Sequence, residues 1–336
     1  MLQAFWQKLL EALASPFERF IFFPSGFHVL YLGGAFLLCA AVYAKRARRP
    51  LRWRAMRRFL LPRRIFLHPS AKLDYRYYFV ATIVRGTIFS GMVISSGLVA
   101  TGVNEGLALV FGAANPMSAP YWFLVALTTI SQVLLFDLGY WFGHRVMHEI
   151  PWLWEFHKTH HAAEVLTPIT SARSHPVDDF IETNFIAMGQ GFGYGVMIYA
   201  FGQATQPLNL LSMNIVFFVY YLTIFHLRHS HVWLPIRGWL GYVIQSPAHH
   251  QIHHSTQERH HGKNLGFCLS FWDWVFGTLY VPDKHEAIEF GIGAEGADFT
   301  TVRDLYFRPL EKVWRLWRSD PTPAVVDVKH EASQQF

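Results

Sequence analysis

Charge is scarce in this 336-residue chain: Asp, Glu, Lys and Arg together make up 15% of it, beside 52% hydrophobic and 17% aromatic residues. Cysteine is almost absent. Cys39 and Cys268 are the only two, which excludes a disulfide framework or a thiolate metal site and leaves both as packing residues. Acids are missing from Lys45 to Arg64, a stretch with ten Lys or Arg. The Glu-x-x-His pairs of a carboxylate-bridged di-iron bundle are missing from the histidine clusters. No internal repeat, flavin, nicotinamide or ferredoxin module, or His-Pro-Gly-Gly heme motif can be read; His68-Pro-Ser and His175-Pro-Val do not match the last. The net charge of +6 does not indicate nucleic acid binding, because the basic residues lie beside apolar runs.

What is present in excess is long apolar sequence. His28 to Ala44, Tyr77 to Ala100 (broken by Arg85), Tyr121 to Phe142, Phe185 to Gly202 and Leu208 to Phe225 each approach the ~20 residues that cross a bilayer as a helix. The short Gln203–Pro207 connection predicts a hairpin of the last two. The expected fold is therefore all-α, a polytopic membrane helical bundle of about four to five spans. Met1 to Phe23 mixes charges and aromatics at helical spacing, which predicts an interfacial helix over 1–26 rather than a cleavable signal. Residues 27–120 form a transmembrane region with a basic loop at 45–64, 121–290 a catalytic domain, and 291–336 a cytoplasmic segment whose tail beyond Asp320 reads as disordered. Basic residues stay on the cytoplasmic side. With 45–64 there and the nearly uncharged Gly102–Ala119 loop outside, the chain re-enters the cytoplasm near His144.

Of nineteen histidines, most of those beyond that point are clustered: His144-Arg-Val-Met-His148, His157-Lys-Thr-His160-His161 and His250-Gln-Ile-His253-His254, with a looser group at His226, His229 and His231. Residues three and four apart share a helix face, so each cluster aims two or three imidazoles at one point. An isolated pair such as His144 and His148 is equally well an interfacial feature, but the repeated one, four, five spacing favours metal ligation. Eight imidazoles plus at least one from the loose group exceed the capacity of one ion, so two ions are expected. In the loose group His229 ranks before His231 and His226. Asp137, seven residues before His144, is costly in an apolar run unless it accepts a proton from the far nitrogen of a ligand histidine. His175 reads as a supporting or substrate-side group, and His249 points away from its neighbours. His28, His68, His260, His261, His285 and His330 read as ordinary residues. Ligand type alone does not choose among iron, zinc and copper. A heme cytochrome would want isolated histidines deep in spans, and a zinc-dependent membrane enzyme or transporter would draw on Glu149, Glu155 or Glu164.

Five segments carry a resemblance: Asp137-Leu-Gly-Tyr-Trp-Phe-Gly-His144-Arg-Val-Met-His148, Trp154 to His161, Ser171-Ala-Arg-Ser-His175-Pro176, Ser246-Pro-Ala-His-His250-Gln-Ile-His253-His254-Ser255, and Lys263-Asn264-Leu-Gly266 leading to Trp272-Asp273-Trp-Val-Phe-Gly277-Thr278. In order and spacing over Leu134–Tyr280 the chain resembles the fatty acid hydroxylase and sterol desaturase superfamily of membrane di-iron oxidases. The resemblance implies a cytoplasmic helical cap in which His144, His148, His157, His160, His161, His229, His250, His253 and His254 bind two irons, with zinc a possible substitute in purified protein. His231 stays a further candidate ligand, and Asp137, His175, His226, Asn264 and Asp273 are supporting residues. The chain departs from many relatives at His231, His249 and Leu265. The implied chemistry is O2-dependent hydroxylation or desaturation of a membrane lipid. Electrons would come from a separate cytochrome b5-like, ferredoxin or reductase partner docking on the basic face. Phe192, Tyr194, Phe217, Phe218 and Tyr221 are candidate walls for a substrate entering from the bilayer.

Overall fold

A computed structural model describes residues 2–46, 52–88 and 93–318. Helix α1 (Leu2–Glu18) leaves Trp6, Leu10, Leu13 and Phe17 exposed. Their spacing of four, three and four residues places them on one face, as expected of a helix lying on an apolar surface. Helix α2 (Val29–Arg46) is followed by α3 (Trp53–Leu60) and the single turn α4 (Arg63–Phe66), which carry most of the described part of the basic stretch. Helix α5 (Pro69–Ile88) packs on α1, and the Tyr78 hydroxyl donates to the Pro16 carbonyl at 2.8 Å.

The apolar run Tyr77–Ala100 is not one helix. Helix α5 is described as far as Ile88 and α6 (Ser96–Phe111) starts after an extended Ser95, so the nearly uncharged stretch expected as a loop is helical as far as Phe111. Arg85, the charged residue in that run, faces protein rather than lipid. It donates to Asp179 and to the carbonyls of Ala172 and Ser174.

Helix α7 (Tyr121–Glu149) has 29 residues, about 43 Å at 1.5 Å per residue. That exceeds the ~30 Å hydrocarbon layer and carries His144 and His148 past its edge. A sharp joint at Ile150 starts α8 (Pro151–His161), whose proline stands at the first helical turn where its missing N–H costs nothing. Helix α9 (Pro176–Phe201) returns along α7 in the most extensive helix contact of the molecule. A Cβ on Gly139 would lie 2.3 Å from the Phe185 carbonyl oxygen and one on Gly189 2.2 Å from that of Leu135, so two glycines set the closeness of this pair.

The run Leu208–Phe225 is also divided. Strands β1 (Asn209–Leu210) and β2 (Met213–Asn214) make a small antiparallel hairpin turning through Leu211 and Ser212 at positive φ. Then follow α10 (Ile215–Tyr220), a π-helical stretch at Tyr221–Phe225 and the last turn α11 (His226–Arg228). Two short helices, α12 (Pro247–His253) and α13 (Phe271–Val275), precede α14 (Val302–Arg318). Helix α14 packs on α8, where Thr159 donates to the Leu305 carbonyl at 3.0 Å. The tail beyond Asp320 lies outside the described residues.

The chain is mostly helical. Among the described residues two helices, α2 and α7, are long and apolar enough to cross a membrane, with Ser96–Phe111 and Ile215–Arg228 as shorter apolar helices.

Candidate metal centre

Four local structures bring the histidines together. The end of α7 supplies His144 and His148, the last turns of α8 His157, His160 and His161, and α12 His250 and His253. His254 and His229 sit at the C-caps of α12 and α11, and Ser246 caps α12 by accepting from the His249 N–H. The ligating atoms fall into two groups, each with ring nitrogens within 4.8 Å of one another: His144, His148, His157, His161 and His253 in one, His160, His229, His250 and His254 in the other. The groups adjoin, with the rings of His161 and His254 centred 4.6 Å apart.

The donor set fits metal ions. In the second group the Nε2 atoms of His229 and His254 lie 3.2 Å apart, those of His250 and His229 3.0 Å, and those of His229 and His160 3.4 Å. In the first, Nε2 of His144 and His157 lie 3.1 Å apart, while Nε2 of His148, His161 and His253 is buried without a partner among the described residues. Lone pairs crowded this closely repel unless a proton or cation lies between them. Burial keeps the rings neutral: it pushes His160 down to about 4 and His253 to about 3, and holds His157, His161, His229 and His254 well below the usual range. Neutral imidazole is the ligating form.

The ring orientations have identifiable holders. His144 Nδ1 donates to the Leu265 carbonyl at 2.8 Å, His160 Nδ1 to that of Arg173 at 3.1 Å, and His253 Nδ1 to that of Lys263 at 3.0 Å, leaving Nε2 as the free nitrogen in each. Asp273 fixes the Leu265 segment by accepting from the N–H groups of Leu265 and Gly266, from Trp141 and from Thr278. Arg173 is clamped by Asp74 at 2.9 Å and by the Thr159 carbonyl. His250 differs. Arg228 Nη2 donates to its Nδ1 at 2.8 Å, so the neutral ring carries its proton on Nε2, and ligation there requires Arg228 to move off Nδ1. Asp178 Oδ2 lies 3.5 Å from His157 Nδ1. Burial together with Glu182 and Asp179 raises Asp178 well above the carboxylate range, so this contact joins two neutral groups and is not an ion pair.

Several residues singled out in the sequence stand elsewhere. His231 belongs to neither group, because its Nε2 donates to the Phe59 carbonyl at 2.6 Å. His226 donates to the Gly26 carbonyl at 2.8 Å, and His175 caps α9 by accepting from the Val177 N–H while donating to the Tyr306 carbonyl. Asn264, at φ 57°, pins the chain crossing to His249 and Tyr280. Asp137 does not accept from a ligand histidine as the sequence suggested. Its Oδ1 takes the N–H groups of Cys268 and Leu269, and the Leu265 carbonyl takes the His144 proton instead. Asp74, Asp178, Arg228 and the three carbonyls escaped the sequence reading. Carbonyls carry no sequence signal, and Asp74 lies about a hundred residues from Arg173.

Two cavities reach the histidines. One of about 140 Å³ is bounded by Tyr140, Phe225 and Phe267 and by His157, His160, His229 and His250. Another of about 510 Å³ opens on His148, His161 and His253 past Trp154, Lys158 and Glu295.

Residues 129–278 match the family described as Fatty acid hydroxylase. The chain is similar to an ornithine lipid hydroxylase, OlsE, of Rhizobium tropici, 30% identical over 169 residues that cover 50% of this chain and 46% of that protein. It is similar also to the alkylglycerol monooxygenase of Homo sapiens (24% over 206 residues, 58% and 39%) and to the human cholesterol 25-hydroxylase (26% over 174 residues, 50% and 56%). The matched part thus spans between 26% and 56% of the length of these and other similar curated proteins. No solved structure matches it. The histidine segments fall inside the matched region, so this part of the chain, a little under half of it, is similar to the fatty acid hydroxylase family.

Proposed function

We propose that this protein is a di-iron oxygenase that inserts oxygen into an unactivated C–H bond of a membrane lipid, desaturation being the other outcome of the same hydrogen abstraction. The observation that carries this reading is the pair of adjoining imidazole groups, one of five rings and one of four, inside the region matched by lipid hydroxylases. His144, His148, His157, His161 and His253 would hold one iron and His160, His229, His250 and His254 the other; iron bound there would supply dioxygen activation and C–H cleavage. Neither group contains a carboxylate, although Asp178, Asp179 and Glu182 border the cavity beside them, so the preference for an oxygenase over a zinc hydrolase rests on the lipid hydroxylases that this region resembles.

The protein's own groups orient the rings and line the site. The carbonyls of Leu265, Arg173 and Lys263 fix three rings in the tautomer that leaves Nε2 free. Tyr140, Phe225 and Phe267 give the smaller cavity an apolar wall beside Asp178, Glu182 and Arg228, and a lipid C–H bond would be presented against that wall. The larger cavity, with Lys158 and Glu295 at its edge, faces the five-ring group and offers solvent, protons and an external electron donor a separate approach. We place the centre on the cytoplasmic side: the basic segment before α5 marks that side, and the end of α7 would return to it if the α5–α6 region crosses the bilayer between α2 and α7.

The test is lipid profiling of cells lacking the protein, complemented with wild type or with His160→Ala. Wild type should restore a lipid heavier by one oxygen or lighter by two hydrogens, and His160→Ala should not. Unchanged profiles, or purified wild type that binds zinc, takes up no oxygen and refuses iron, would overturn the reading.

A further inference from the structure

The cavity beside His157 and His160 has an outer neighbour. A vestibule of about 470 Å³ shares Ser171, Ser174, Asp179 and Phe225 with it, so the two cavities adjoin across these residues between the region of α1 and α5 and the histidines. The vestibule is amphiphilic. Phe27, Val93, Tyr221 and Phe225 give it apolar walls, while Arg19 and Arg85 bring two guanidinium groups to its lining.

These arginines are not equivalent. Arg85 is largely buried and engaged: Nε donates to Asp179, Nη2 to Ser174 and to the Ala172 carbonyl. Asp179 is in turn committed to Arg85 and to the Ser174 hydroxyl, which donates to it at 2.7 Å. No hydrogen bond or ion pair to the Arg19 guanidinium occurs among the described residues, although the side chain is only partly exposed. Its surroundings hold Arg85 as a like charge, with Tyr78 and Asp179 as partial compensation, and Asp179 is already engaged by Arg85 and Ser174. A half-buried cation next to another cation, facing a cavity, is favourable only when an anion joins it.

We propose that Arg19, backed by Arg85, is an anion subsite that holds the carboxylate or phosphate of an amphiphilic substrate in the vestibule, with the apolar chain running past Phe225 toward the histidines. This deepens the oxygenase reading and rests on it. The consequence is positional: the charged end is anchored in the chamber adjoining the metal centre, so the carbon attacked lies toward that end of the lipid and not at its far terminus.

Binding separates this proposal from the oxidation chemistry. The full chain in neutral detergent is titrated, by displacement of a fluorescent long-chain fatty acid, with unlabelled fatty acid, phosphatidic acid, an uncharged monoacylglycerol of the same chain, and inorganic phosphate alone. Wild type should prefer one or both anionic lipids over the monoacylglycerol; the tighter of the two names the group. Arg19→Gln should weaken anionic binding about tenfold or more and leave the monoacylglycerol unchanged, and Arg19→Lys should retain most of the preference. His160→Ala should keep the preference, so a chain that binds anionic lipid through Arg19 yet oxidises nothing would fail the oxygenase reading alone. Equal affinity for charged and uncharged lipids, an Arg19→Gln chain of undiminished preference, an equal loss of all lipids, or displacement by inorganic phosphate with no lipid preference would each overturn the subsite.

Discussion

At the scale of single residues, the two imidazole groups predict how metal should be lost. His161→Ala removes a ring from the five-membered group and His229→Ala one from the four-membered group, so each should lower bound metal by about one ion per chain. His231→Ala should leave the content unchanged, since that ring is engaged with the Phe59 carbonyl. Elemental analysis of the three purified variants decides; loss of metal in His231→Ala alone would reverse the assignment. A second expectation concerns a residue that touches no ring. Asp273 is fully buried and accepts four hydrogen bonds, two of them from the segment whose carbonyl holds His144. Asp273→Ala should weaken metal binding about tenfold or more in chelator competition and cost about 3 kcal/mol of stability. A pH expectation follows from His160 and His175, both pushed by burial to about 4. Because the unfolded rings take up protons near 6.5 and the folded ones do not, the metal-free protein should lose stability as pH falls from about 6.5 to about 4, by up to ~1.4 kcal/mol per pH unit for each such ring. A melting temperature flat across that window would contradict the buried neutral state. The histidines themselves were legible because three- and four-residue spacing is intrinsic to a helix. Their holders were not, because they are backbone carbonyls or come from distant segments such as Asp74.

Helices α2 and α7 were readable from hydropathy, since nothing interrupts their apolar runs. The runs at Tyr77–Ala100 and Leu208–Phe225 were readable as apolar but not as divided. Hydropathy averages over Arg85, whose partners Asp179 and Ala172 lie on other segments, and over the two-residue strands at Asn209 and Met213. Helix α14 was left unassigned because Pro309 sits within it and half its face is polar, and only its packing on α8 explains it. Among the elements, the α7 and α9 crossing does most to set the site's dimensions, because α7 carries His144 and His148 while α9 carries Asp178 and Glu182. Gly139→Ala would drive a methyl group into the Phe185 carbonyl and push the helices apart. The expected cost is about 1–3 kcal/mol with reduced metal content. Gly33→Ala, where nothing lies within 4 Å of the added carbon, is the matched control and should change neither. Equal melting temperatures for the two variants would show that the crossing tolerates separation.

For the whole molecule, the open question is which surfaces lie on which side of the bilayer, and length arguments make it testable. Helix α7 is about 43 Å long against a hydrocarbon layer of ~30 Å, so its start at Tyr121 and its end near His148 cannot share a side if it crosses. Positive residues at Arg52, Arg54, Arg57 and Arg58 would keep α3 in the cytoplasm, and two further crossings, one through α5–α6 and one through α7, would bring the end of α7 there too. The exposed face of α1, with Trp6, Leu10, Leu13 and Phe17, would then lie along the same interface, close to the vestibule that holds Arg19. Cys39 and Cys268 are both buried, so introduced cysteines report without interference. In sealed vesicles of known orientation, a membrane-impermeant maleimide should label Arg54→Cys and Lys284→Cys from the cytoplasmic side and Met117→Cys from the opposite one, all three positions being exposed. Labelling of Met117→Cys and Lys284→Cys from one side would mean that α7 does not cross. Labelling of Arg54→Cys opposite Lys284→Cys would put the basic stretch and the histidines on different faces, and the external electron donor would lose the basic surface proposed to receive it.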